Sequence, residues 1–94
     1  TCQQAIEKIL KAIYLAEYAK EAPYSHNLVY LQGLLTLDLP NDCVELLAEL
    51  TAYYIEGRYP SYKTRLSTMV SKEKGASALR RTKRLFKWLR LKVE

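Results

Sequence analysis

The first group in this chain whose type and position could do chemistry is Arg58. Its planar guanidinium fits phosphate or carboxylate through two parallel hydrogen bonds and keeps its charge at any physiological pH. Arg58 follows Gly57, which can adopt the left-handed backbone that closes a helix, and precedes Pro60, which prevents the helix from resuming. The spacing therefore predicts an arginine at a helix C-terminal corner. Tyr53, Tyr54, Tyr59 and Tyr62 flank it, each with an apolar ring and a phenol that can donate or accept. Such a set suits a packed subunit interface or a nucleotide-facing cleft. A plainer role is equally open: Arg58 could neutralise the carbonyls at the end of its own helix, or pair with Glu49 or Glu56.

A second chemical feature lies near the C-terminal end. From Lys72 to Glu94 there are nine basic residues against Glu73 and Glu94, a net charge of +7 in a chain whose total is +5, so the remainder carries −2. Wound as a helix, this segment puts Leu79, Thr82, Leu85, Phe86, Leu89 and Val93 on one side. Arg80, Arg81, Arg84 and Lys87, with Trp88 and Leu91 among them, take the other. A cationic face can track a phosphate backbone while an indole stacks on a base, although a charged helical face more commonly serves solubility.

His26, the single histidine, could serve as acid or base near neutral pH, but no partner is identifiable from spacing, and a structural role is expected. One imidazole excludes multi-histidine metal centres. Cys2 and Cys43 lack CxxC spacing, and Asp38 and Asp42 flank a turn without histidine ligands, so neither metal nor cofactor is expected. The cysteines read as unpaired, mostly buried thiols in a reducing cytosol. No glycine-rich phosphate loop and no Ser/His/Asp set can be assembled.

The elements that must position these groups are all helical. Ile6, Ile9, Leu10 and Ile13 recur at helical spacing in a first helix from Cys2 to about Lys20, broken at Pro23. Ser25 is the expected N-cap of a second helix, with His26 in its first turn and Leu28, Leu31, Leu34 and Leu35 as its stripe, ending near Thr36. Asp42 and Glu45 resemble a capping box opening a third helix, whose face is Val44, Leu47, Leu50 and Tyr54. Residues 59–70 read as a loop or a short irregular helix, and Ser71 as the cap of the last helix, from about Lys72 to Val93. No strand pattern or hairpin turn occurs, which predicts an all-α antiparallel bundle of about four helices. The chain holds 94 residues, 49% hydrophobic and 27% charged, in keeping with a single folded, soluble domain. No apolar run approaches the ~20 residues a membrane span needs.

Three segments in order, Gln3 to Ala12, Ser25 to Leu31 and Leu50 to Pro60, together with Ser71-Lys72-Glu73-Lys74 and Trp88-Leu89, resemble the HEPN domain (higher eukaryotes and prokaryotes nucleotide-binding) over almost the whole chain. Family members usually carry a further helix before this start. The resemblance thus implies a domain over residues 1–94 that is N-terminally truncated relative to the family, with an apolar groove exposed where that helix packs. It also implies a cytoplasmic homodimer, encoded beside a minimal nucleotidyltransferase in a toxin–antitoxin-like module. Many members are metal-independent ribonucleases with an arginine followed a few residues later by a histidine. Arg58 fits that arginine, but Lys63, Thr64 and Arg65 stand where the histidine is expected. The expectation is a nucleotide- or RNA-binding protein without efficient catalysis that uses Arg58, Tyr59, Tyr62, Lys63, Arg65, Arg80, Arg84 and Lys87. The alternative is a ribonuclease that uses Arg58 with Tyr59 or Tyr62 and no histidine.

Overall fold

A computed structural model describes residues 2–57 and 72–93. Arg58, Tyr59, Tyr62, Lys63 and Arg65, the predicted loop at 59–70 and the Ser71 cap lie outside the described residues. Four helices account for most of the rest: α1 (Cys2–Tyr18), α2 (Leu28–Gly33), α3 (Asn41–Gly57) and α4 (Lys72–Val93). The described residues contain no strand, so the expected all-α bundle is the one found, but it is not antiparallel throughout, since α2 and α4 both run in the same direction as α1.

α1 buries Ile6, Ile9, Leu10 and Ile13 along one stripe, as its periodicity predicts. It ends earlier than expected, at Tyr18, because Ala19 turns into left-handed backbone (φ 55°) while its N–H still reaches Leu15 O at 2.8 Å. A residue with a Cβ is strained there, since that conformation costs an L-residue roughly 1–2 kcal/mol. Two contacts offset the strain at this end of the helix. Tyr18 donates to Leu34 O at 2.7 Å, and Thr36 donates to Glu17 through its hydroxyl at 2.7 Å and its N–H at 3.3 Å.

The segment after α1 then runs back along it. Gln3, at the start of α1, donates to His26 O at 3.1 Å, while Tyr18, at its end, bonds Leu34. α2 therefore runs in the same direction as α1. The return from Tyr18 to the level of Glu7 covers ~17 Å of helix, which eight extended residues spanning up to ~26 Å can bridge.

α2 is shorter than its leucine stripe suggests, and its cap is Asn27 rather than Ser25. Asn27 Oδ1 accepts from Val29 N at 3.1 Å and Tyr30 N at 3.2 Å, whereas Ser25 Oγ accepts from Asn27 N. This leaves His26 outside the helix. Beyond Gly33 the backbone tightens into i→i+3 bonds, Leu34 N to Leu31 O and Leu35 N to Gln32 O.

α3 starts two residues earlier than a capping box at Asp42 allows. Pro40 O accepts from both Cys43 N and Val44 N, and Asp42 lies inside the first turn, where its carboxylate accepts from Cys43 N at 3.1 Å. A negative charge in that turn still complements the helix dipole.

The core is formed by Ile6, Leu10, Ile13, Leu28, Leu47 and Leu89, all essentially inaccessible. Each contributes about 1.5–3 kcal/mol through burial. One buried polar residue ties two helices together: Thr51 Oγ1 accepts from Leu28 N at 3.1 Å and donates to Leu47 O at 2.8 Å. It satisfies an N–H of the α2 first turn that no intrahelical carbonyl can reach.

α4 packs alongside α1 in the same direction, since Cys2 and Ala5 share a hollow with Leu79 and Thr82, and Ile9 and Ala12 share one with Val93. It runs against α3, with Asp42 and Cys43 near Trp88 and Glu49 bonded to Arg81. Leu79 and Val93, placed on the apolar side by the sequence, are 44% and 40% exposed. They line an apolar groove between α1 and α4 whose charged lining residues Lys8, Lys83, Lys87 and Arg90 are all basic.

Candidate functional site

α4 divides its surface by angle. Ala78, Thr82, Leu85 and Leu89 face the core, and Thr82 donates to Ala78 O at 2.7 Å, so its hydroxyl is satisfied within the helix. Half a turn away, Arg80, Arg84 and Lys87 form an exposed row. None of the three is paired with a carboxylate of the described residues. Glu73 in the first turn and Arg90 and Lys92 in the last complement the helix dipole.

Arg81 and Trp88 lie between the two faces. Arg81 donates to Glu49 Oε2 at 3.1 Å, and the other Glu49 oxygen accepts from Tyr53 OH at 2.7 Å. The sequence reading grouped Arg81 with the exposed cations, but its charge is spent inside the chain. Its Nε is buried and has no acceptor among the described residues. Trp88 is 37% exposed, and Lys92 Nζ sits 4.7 Å from its ring centroid.

Between this flank and the start of α3 lies a half-enclosed cavity of about 350 Å³. Leu39, Pro40, Leu46 and Leu85 supply its apolar lining, with Trp88 as the aromatic wall. Arg81 and Arg84 enter from α4, while Asp38 and Asp42 enter from the turn into α3. Cys43 also lines it, and burial, with Asp42 beside it, pushes that thiol above its ordinary pKa. Cys2 and Cys43 are unpaired, and both are half-buried.

His26 belongs to a different cluster. Its Nδ1 lies 2.7 Å from Glu7 Oε1, and its Nε2 lies 3.3 Å from Tyr24 OH. Gln3 donates to the same Glu7 oxygen at 3.0 Å, and Lys11 Nζ reaches the other at 3.3 Å. The rings of Tyr24 and Tyr54 lie 5.3 and 5.2 Å from the imidazole. Burial raises the Glu7 pKa, but the hydrogen bonds from His26, Gln3 and Lys11 outweigh it and hold the carboxyl below its usual range. This cluster fastens the returning segment to α1. It engages both ring nitrogens of His26 within the chain, outside the helix first turn where the sequence reading placed this residue.

The predicted site residues thus separate. Arg80, Arg84 and Lys87 come together on one face of α4, while Arg58, Tyr59, Tyr62, Lys63 and Arg65 fall outside the described residues. Sequence reasoning missed the cavity beside that face. Its only local signals were Trp88 near the arginines and the acidic turn at Asp38 and Asp42, which no spacing rule connects. Among the described residues, no helix is long and apolar enough to cross a membrane, and no group of three or more His, Cys, Asp or Glu could hold a metal ion.

An all-α bundle with one cationic helix defines a class of small helical domains. The HEPN domain family matches residues 1–92, nearly the whole length, and the chain belongs to it. HEPN domains bind nucleotide or RNA, are often ribonucleases, and often dimerise. No curated protein and no solved structure matches the chain significantly.

Proposed function

We propose that this HEPN protein binds the phosphates of nucleotide or RNA through the cationic face of α4, with Arg58, Tyr59, Tyr62, Lys63 and Arg65 completing the surface. It acts as a cytoplasmic homodimer beside a minimal nucleotidyltransferase in a toxin–antitoxin-like module, without efficient catalysis of its own. The observation that carries the binding reading is the row of Arg80, Arg84 and Lys87, exposed and without a carboxylate partner among the described residues. Glu7 and Glu49, by contrast, are paired within the chain. Cations left facing water beside an indole suit a polyanion that offers aromatic bases. For catalysis the sequence supplies an arginine but, at Lys63, Thr64 and Arg65, no imidazole to move a proton. His26 is already engaged with Glu7.

The test is fluorescence anisotropy with a labelled single-stranded RNA in chelator at low salt. Saturable binding without cleavage is expected, together with release as salt rises. Absence of binding at low salt contradicts the proposal, and cleavage that is lost in Arg58→Ala favours the ribonuclease alternative.

A further inference from the structure

The cavity beside Trp88 takes arginines from one element, α4, and acids from another, the turn into α3, with apolar side chains completing its lining. Leu39, Leu46 and Leu85 give it a floor that no charged group would choose, and the indole gives it a flat wall. Arg81 and Arg84 bring donors from α4, and Asp38 and Asp42 bring acceptors from the turn into α3. Among the described residues no ion pair joins Asp38 or Asp42 to either arginine; Arg81 is paired with Glu49, and Arg84 has no carboxylate partner. Asp42 has one oxygen on Cys43 N and the other without a partner among the described residues. The buried Arg81 Nε also has no acceptor among the described residues, so it has donor capacity left for a ligand.

A ligand that satisfies this arrangement must be planar and apolar in the middle, with donors at one end and anionic oxygen at the other. Inorganic phosphate uses only the arginines, and a hydrocarbon uses only the floor. A volume of about 350 Å³ lies in the range of small-molecule sites, ~300–1,000 Å³. We propose that the cavity holds one nucleotide whose base carries an exocyclic amine, the base stacked on Trp88, the amine towards Asp38 and Asp42, and the phosphate towards Arg84. This rests on the nucleotide-binding reading and adds to it a location and a preference. Carboxylates accept from an exocyclic amine and repel a carbonyl, so cytosine, adenine or guanine, each of which carries such an amine, is admitted and uracil, which carries none, is refused at the same end.

Trp88 is the sole tryptophan, so its fluorescence reports the cavity directly. The experiment titrates the protein with CMP, AMP, UMP and inorganic phosphate at low salt, corrected for absorbance, and repeats it with cytidine- and uridine-only oligonucleotides. CMP or AMP is expected to quench Trp88 saturably, UMP to bind roughly fivefold to tenfold more weakly, and phosphate to leave the emission unchanged. Asp42→Ala and Asp38→Ala, both at exposed positions, are each expected to shrink the preference for CMP over UMP while circular dichroism stays unchanged. Arg84→Ala should weaken both nucleotides alike. Quenching by cytidine oligonucleotides as well as CMP assigns the cavity to a base of a strand, and quenching by CMP alone assigns it to free nucleotide. Equal quenching by UMP and CMP overturns the proposal. Oligonucleotide binding seen by anisotropy without any change at Trp88 also overturns it, yet leaves the α4 surface intact. If no RNA binds at low salt, both readings fall together.

Discussion

The two charged regions of this molecule handle their charges in opposite ways. Around Glu7 the charged groups meet partners in the chain: His26, Gln3 and Lys11 share one carboxylate, and Tyr24 meets the far side of the imidazole. Gln3 Oε1 is the one buried side-chain polar atom there that has no partner among the described residues. Along α4, Arg80, Arg84 and Lys87 have no carboxylate partner among the described residues. Both regions combine charges with aromatic rings, and both could be taken for sites from residue types alone. The difference is the satisfaction of hydrogen-bonding capacity. A closed network holds a fold together, while donors turned outward have binding capacity left for a polyanion.

Charge reversal on the open region should have the largest effect. Arg84→Glu combined with Lys87→Glu should lower affinity for single-stranded RNA at low salt about 100-fold, since two attractions become repulsions. Thermal unfolding should barely move, because both side chains are exposed. A matching loss of stability would erase the contrast with the Glu7 cluster.

The closed region should respond the other way round. Glu7→Ala removes the shared acceptor from a mostly buried site, so it should destabilise the protein by about 2 kcal/mol in chemical denaturation and leave RNA affinity within about twofold. The pH dependence follows from the direction of the Glu7 shift. A carboxyl with a lowered folded pKa gives stability that is fully present above its ordinary unfolded pKa and lost as pH falls through the folded value. Wild-type stability should decline across that acid range, and Glu7→Ala should show a flatter profile. His26→Ala should cost about 1 kcal/mol with RNA binding unchanged. A selective loss of RNA binding in His26→Ala would make this cluster part of the site.

The smallest effect concerns the end of α1, where the segment that returns to the closed region begins. Ala19→Gly relieves left-handed backbone and should stabilise by about 0.5 kcal/mol, the relief being partly offset by the greater freedom of glycine in the unfolded chain. Calorimetry should show a slightly higher Tm.

Much of this contrast was legible in the sequence on its open side. A basic helical face announces itself through periodicity, and the core stripes of α1, α3 and α4 follow the same rule, so Ile6, Leu47 and Leu89 could be placed from spacing. The closed side was not legible. Glu7 and His26 are nineteen residues apart and meet only because the segment after α1 doubles back. Local rules also misplaced the start of α2: Ser25 and Asn27 are both good caps, and what separates them is that Asn27 accepts two N–H groups while Thr51, from α3, takes a third. The cavity beside Trp88 needs three segments brought together, and no single periodicity encodes it.

The most direct measurement is the salt dependence of RNA binding, compared between the wild type and the triple variant Arg80→Ala, Arg84→Ala, Lys87→Ala. Each phosphate contact on a single strand contributes about 0.7 to the slope of log affinity against log salt, so the variant should lose about 2 from the wild-type slope. An unchanged slope would mean that those three cations meet no phosphate, and the central claim would fail.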